Sequence, residues 1–443
     1  MDVIKSDQNK LIFLKGIGYL TFSKIILVIL SFLFTYVCAN YLGPDRYGVF
    51  NYTLGLIITI PGFMGIDSIT SAMTRFLSEK RSRAVFKRLL LISLAIVFPV
   101  MFFLLFLSDL ISLTIGKNIT FLIQVISPVV VFVPLHDILH AVLGSFKRFK
   151  NMATYHILQK LISLGLVMIL FFGFNMGIEG LIITTLISYS AIVVIMLINV
   201  KKLPFKDYSE GVGKKRAGKF ITLSYINNTL KQFGSWIFMF IYGAFLSPFE
   251  LGYAMLADKA TIILGNIRDS VSQTLYPVIS EFADDKKRVE RYVSASIKMT
   301  ILTAILTTVI VIIFGQMVID ILFEGFSQTY PIALLITIAS IFDFRAIIIL
   351  FTAKERMDLC ILNRIITFMS YLIGGWLLIL NFGTIGYGLT ILLVSFSSAL
   401  VLALIAKKQG FNIDYVIRLR DIKESYFLIR RALRKRDDEA TLK

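Results

Sequence analysis

Four ionisable residues lie inside long apolar stretches of this chain: Lys24, Lys231, Asp258 and Lys259. A charge placed there is costly, and it normally faces a cavity or an opposite charge. Three ammonium groups at similar depth suit an anion, and phosphate is an anion that an ammonium binds as a point charge. Two readings are open. Either Lys24, Lys231 and Lys259 line a cationic central cavity that takes a phosphate, or Lys24 or Lys231 pairs with Asp258 to join helices.

A second group comprises His136, Asp137, His140, Lys160, Asp343, Arg345 and Arg364. Asp137 and His140 are close to one helical turn apart, so they share a face. Asp137, Asp343 and Asp258 are candidates to bind a coupling proton or sodium ion. The alternative for Asp137 and Asp343 is inter-helix pairing near the inner interface, with Arg and Lys extending toward water. Asp67, Arg268 and Asp269 fall near helix ends and read as gate or loop contacts.

Other chemistry is not visible. No G-x-x-x-x-G-K-[ST] run occurs, so ATP is not the direct drive. There is no H-E-x-x-H and no His or Cys cluster with ligand spacing among 3 His and 2 Cys. No metal site, cofactor or catalytic residue is therefore expected. Cys38 and Cys360 read as packing residues.

The elements that must position these groups follow from composition. Of 443 residues, 57% are hydrophobic and 17% charged, whereas soluble domains carry about 25% charged residues. Apolar runs of about 20 residues recur along the chain, as a hydrocarbon core of about 30 Å requires of a helix. Twelve spans are expected, at 16–39, 46–70, 89–110, 119–143, 153–174, 178–200, 220–244, 251–275, 292–315, 330–352, 359–380 and 385–406. At about 1.5 Å per residue, Lys24, Lys231 and Lys259 reach depths of roughly 12–17 Å. Pro61, Pro99, Pro128 and Pro134 predict kinks in the second, third and fourth helices.

Loop charges alternate. Nearly all loop Lys and Arg fall on one side, with Arg46 and Lys117 on the other. By the positive-inside rule both termini are cytoplasmic. The net charge of +18 thus belongs to membrane topology and calls for no nucleic-acid partner. The polar start, followed by a long apolar run without a small-residue cleavage site, reads as a retained first span. Residues 411–436 mix apolar and basic positions, as an amphipathic helix on an anionic leaflet or a solvated extension would.

The halves resemble each other. Tyr41-Leu-Gly-Pro-Asp-Arg-Tyr-Gly48 aligns with Phe245-Leu-Ser-Pro-Phe-Glu-Leu-Gly252, Asp67-Ser68 with Asp269-Ser270, Asp137 with Asp343, and Asn175 and Gly177 with Asn381 and Gly383. The offset stays near ~204 residues, the mark of an internal repeat. Six helices per half make the repeats parallel, an arrangement found in transporters.

The stretch Tyr41-Leu-Gly-Pro-Asp-Arg-Tyr-Gly-Val-Phe50 resembles the LGP-x-x-[FY]-G signature of polysaccharide-biosynthesis membrane proteins, the Wzx-type repeat-unit flippases. Gly144-Ser-Phe-Lys-Arg-Phe-Lys150 and Gly177-Ile-Glu-Gly180 resemble loops of the same family. That family shares the MOP superfamily with MATE exporters and the lipid II flippase. The resemblance implies an all-α polytopic membrane protein of twelve transmembrane helices in two parallel-repeat six-helix lobes. It also implies movement of a polyprenyl-(pyro)phosphate-linked oligosaccharide across the cell membrane, among membrane lipids, with H+ or Na+ as coupling ion and glycan-assembly proteins as candidate partners. The expected organisation is an N-terminal lobe at 1–200, a basic linker at 201–219, a C-terminal lobe at 220–406 and a basic tail at 407–443. Two rivals remain. A MATE-like cation-coupled exporter would prefer acidic cavity residues, and a membrane-embedded sugar transferase or polymerase would need a large outer loop with an acidic pair or metal motif.

Overall fold

The computed structural model describes residues 2–206, 214–260, 285–354 and 356–418, with positions 265, 275 and 279 between them. The described residues are helical almost throughout and contain no strand, only an isolated bridge between Ser82 and Lys206. Among the described residues thirteen α-helices are defined: α1 (Asp2–Phe63), α2 (Ile66–Lys80), α3 (Arg83–Ile115), α4 (Thr120–Ile126), α5 (Val129–Ser145), α6 (Phe149–Met168), α7 (Ile178–Lys201), α8 (Lys214–Phe245), α9 (Pro248–Ala260), α10 (Lys286–Leu322), α11 (Thr329–Ala339), α12 (Arg345–Ala353) and α13 (Met357–Lys408).

Two of these are too long to be single spans. At about 1.5 Å per residue, the 62 residues of α1 would reach about 93 Å, against a hydrocarbon core of about 30 Å. The break falls at Gly43, with φ 74° and ψ 170°, directly before Pro44. The 52-residue α13 breaks in the same way at Gly383, with φ 55° and ψ −127°. These dihedrals belong almost only to glycine. Among the described residues seven helices are long and apolar enough to cross a membrane, or eight if the bent pair α4–α5 counts as one.

The expected proline kinks divide. Pro128 stands at the 40° bend between α4 and α5, and Pro61 lies just before the turn at Met64-Gly65 that separates α1 from α2. Pro99 and Pro134 sit within uninterrupted helices.

The surface is inside-out relative to a soluble bundle. On α3 the buried stripe includes Ser93, Ser108 and Ser112, while Phe106 and Leu113 are 82% and 80% exposed. Only 17% of the most apolar window of α10 is buried. An apolar exterior over a partly polar interior is what a hydrocarbon solvent selects, since polar groups can be satisfied only by other helices.

Two cores form. The larger one runs from Cys38 to Tyr387 and gathers α1 to α9 with α11 and parts of α13. The smaller joins α10, α12 and α13 to the chain that follows α13. There the sequence pattern admits a helix, but residues 411–418 are not helical. They are tied to α10 instead: Glu290 and Ser294 accept from the Asn412 and Asp414 amides at 2.9 and 3.0 Å, and Lys298 donates to Asp414 at 2.7 Å. Phe344 stacks on Tyr415, with ring centroids 5.1 Å apart. Residues 207–213 of the expected linker, 419–443 of the tail, and Arg268, Asp269 and Ser270 lie outside the described residues.

Candidate functional site

The two repeat-matched turns, 41–48 and 245–252, meet. A Cβ on Gly48 would stand 2.2 Å from the Gly252 nitrogen, and one on Gly252 would stand 2.1 Å from the Pro44 oxygen. Small residues let membrane helices approach this closely. Farther along the same seam Gly55 faces Met239, and Gly243 lies under the ring of Tyr52. The second arm of α1 thereby packs along α8.

The seam continues through polar contacts at the α1–α2 turn. Gln232 donates to Asp67 at 2.8 Å, Asn228 to Ser68 at 3.3 Å, and Thr229 to the Phe63 carbonyl at 3.3 Å. Phe63 stacks on Phe233, which stacks in turn on Phe368 of α13, at 5.4 and 5.5 Å. Asp67 is therefore a contact between α2 and α8, as its place near a helix end leads one to expect.

Charged groups also lie inside the helices. Lys259 is half-buried on α9 and Lys160 half-buried on α6, and both helices pack against α1. Lys160 also stands over the ring of Phe34, 5.2 Å from its centroid. Sequence depth assigns Lys160 to the inner group, and the fold packs its helix, like that of Lys259, against α1.

Asp258 points into an aromatic cluster. Tyr387 of α13 donates to its carboxylate at 2.8 Å. Tyr387 packs edge-on against Tyr242 at 5.1 Å and stacks on Phe238 at 5.2 Å. No sequence signal marks Tyr387 as this partner, because it lies ~129 positions away on another helix, a long-range contact that periodicity cannot report. Lys24 is half-buried on α1, Lys231 is exposed on α8, and neither is isolated.

The repeat-matched Asp137 and Asp343 have unlike surroundings. Asp137 lies within α5, where its carboxylate and the Nδ1 of His136 are 3.0 Å apart. Asp343 sits at the break between a short 3-10 turn (Ser340–Phe342) and α12. There it accepts from the Arg345 amide at 3.1 Å and pairs with that guanidinium at 3.4 Å.

The sequence shows no histidine cluster, and here the structure corrects it. His136, His140 and His156 converge, with ligand atoms all within 4.8 Å of one another. The physical reason is the α5–α6 hairpin, which folds His156 back against a pair that already shares one face of α5.

An apolar coat over helices broken at glycines, with charges and tyrosines inside them, defines a multi-pass α-helical membrane protein. Residues 37–325 match the model of the family described as "Polysaccharide biosynthesis protein", and the chain belongs to that family. Its fold is like that of solved structures described as transporters of the MOP superfamily. It resembles the lipid II flippase MurJ in its inward closed conformation, with a TM-score of 0.70 and 17% identity over 92% of this chain and 89% of that one. It also resembles a MOP superfamily transporter from Pyrococcus furiosus, with a TM-score of 0.67 and 13% identity over 89% of this chain and 95% of that one. A multidrug resistance MATE transporter in an inward-facing conformation gives a TM-score of 0.67 and 13% identity, over 86% and 94% of the two chains. These relatives are flippases and transporters, not enzymes. No curated protein matches the chain in sequence.

Proposed function

We propose that this protein flips a polyprenyl-(pyro)phosphate-linked oligosaccharide from the cytoplasmic to the outer face of the cell membrane. The carrying observation is that Lys160 and Lys259 sit half-buried on α6 and α9, two helices that both pack against α1. Like charges in a low-dielectric interior repel, and Asp258 offsets one of them. An anionic headgroup entering beside them relieves the rest. Lys24 and Lys231 extend this cationic lining in the proposed cavity, and the phosphates of the carrier are its ligand. Family membership supports the substrate class, and the MurJ-like fold supports the movement.

In this reading twelve helices form two parallel-repeat six-helix lobes, with both termini cytoplasmic, and the lobes rock about the seam between α1, α8 and α9. The lipid tail stays in the bilayer while the headgroup crosses. Asp258, held by Tyr387, takes the coupling-ion role; Asp137 and Asp343, already engaged with His136 and Arg345, take the pairing role.

The test uses purified protein in liposomes carrying a fluorescent polyprenyl-pyrophosphate oligosaccharide, with an impermeant quencher reporting headgroup exposure. Protein-dependent crossing is expected, reduced at least about tenfold by Lys160→Ala or Lys259→Ala, corresponding to the loss of about 1.4 kcal/mol. Ion-driven efflux of a soluble cation without headgroup crossing would replace the flippase with a MATE-like exporter.

A further inference from the structure

All 3 histidines of the chain lie in one group. His136 and His140 project from one face of α5, and His156 from α6. The His140 and His156 rings stack at 3.9 Å, and His136 packs against His140 at 4.6 Å and His156 at 5.4 Å. His136 and His140 are only 5% and 7% exposed. Yet His136 Nε2 and both ring nitrogens of His140 find no hydrogen-bond partner among the described residues. Buried polar atoms are normally satisfied, so three orphaned imidazole nitrogens in one pocket need an account.

We infer that His136, His140 and His156 form a site for a divalent transition-metal ion of the zinc, cobalt or nickel kind. Neutral imidazole is a preferred ligand for such ions. The His136 ring is already set for this role. Its Nδ1 lies 3.0 Å from Asp137, and donation from Nδ1 leaves the Nε2 lone pair directed at the pocket. A carboxylate behind a histidine fixes its tautomer and strengthens it as a ligand. Three imidazoles around one ion at bond lengths of about 2.0–2.1 Å place their nitrogens roughly 3.3 Å apart. The present spacing, within 4.8 Å, has to close to that value as the ion binds, with the stacked His140 and His156 rings turning out of their parallel arrangement. Three protein ligands leave a fourth position open for water or an anionic oxygen. The ion would clamp α5 to α6, the helix that carries Lys160 one turn beyond His156.

The experiment uses full-length protein purified without a histidine tag. Titration with Co2+ is expected to yield one bound ion per chain, with the visible d–d bands of tetrahedral nitrogen coordination, displaced by Zn2+. X-ray absorption of the Zn2+-loaded wild type is expected to show imidazole nitrogens at about 2.0–2.1 Å. Asp137→Asn should weaken binding about 10–100-fold. His140→Ala and His156→Ala should weaken it further. The wild-type spectra need no variant to fold. An oxygen-only shell, no stoichiometric binding by the wild type, or undiminished binding by a well-behaved variant lacking all three histidines would overturn the site.

Discussion

The two copies of the repeated turn solve one problem by different chemistry. Both must stop a helix before a proline, whose ring disfavours helical backbone in the residue preceding it. In the first copy Gly43 takes φ 74° and ψ 170°, a conformation closed to side-chain-bearing residues. In the second copy Ser247 stands in the same place and caps α9 reciprocally with Glu250. The Ser247 amide donates to Glu250 at 2.8 Å, and the Glu250 amide lies 3.4 Å from the serine oxygen. That is a capping box with proline at the first helical position. The means of turning is thus free to vary between the copies. Gly48 and Gly252 are common to both, and there the two backbones touch.

The largest effect expected in breaking this comparison is at the shared glycines. Gly48→Val or Gly252→Val forces a side chain into backbone and should cost at least the ~1–3 kcal/mol typical of overpacking. Loss of the monodisperse peak in size-exclusion chromatography would register it. Gly165→Ala is the control: its Cβ meets nothing within 4 Å, so the melting temperature should not fall.

Next come the two caps. Gly43→Ala should destabilise by about 1–3 kcal/mol through backbone strain. Ser247→Ala should cost about 1 kcal/mol and Ser247→Gly only a few tenths. Thermal melts that rank Gly43→Ala below Ser247→Gly would sharpen the contrast; equal losses would erase it. In transport, Tyr387→Phe removes the donor to Asp258 while keeping the ring. It should change the dependence of flipping on the ion gradient more than its maximal rate, whereas a mere packing role would leave the gradient dependence intact.

The smallest effect concerns the chain after α13. The Lys298 ammonium, with the Val416 amide, holds the Asp414 carboxyl below the usual carboxylate range. A depressed folded pKa contributes stability that is present above the unfolded value and lost as pH falls through the folded one. The hydrogen-exchange protection factors of residues 411–418, taken against intrinsic exchange at each pH, should therefore be high at neutral pH and fall in acid. Lys298→Ala should lower them at neutral pH.

What was legible in the sequence was mainly one-dimensional. Apolar run length predicts a multi-pass helical protein, Gly43-Pro44 marks a helix boundary, and the repeat pairs the two stretches that meet at Gly48 and Gly252. Lys259 and Asp258 declare themselves by being charged in apolar company. Pairing across helices was not legible. Tyr387 looks like any tyrosine in an apolar run, Lys160 is displaced from Lys259 on a depth scale, and His156 joins its partners only through a hairpin. Repeat symmetry also fails locally: Asp137 lies inside a helix and Asp343 at a break, so equal sequence positions do not carry equal surroundings.

The docking of residues 411–418 on α10 has a consequence for biogenesis. Segments emerge from the ribosome in order, and α10 and α12 enter the bilayer well before the strap that completes their shared core. Until Ile413 arrives beside Val289, Val293 and Leu350, that core stays open at its rim. The second core is therefore sealed as a late act of synthesis, after α13 has been threaded, while the larger core can consolidate much of its packing earlier.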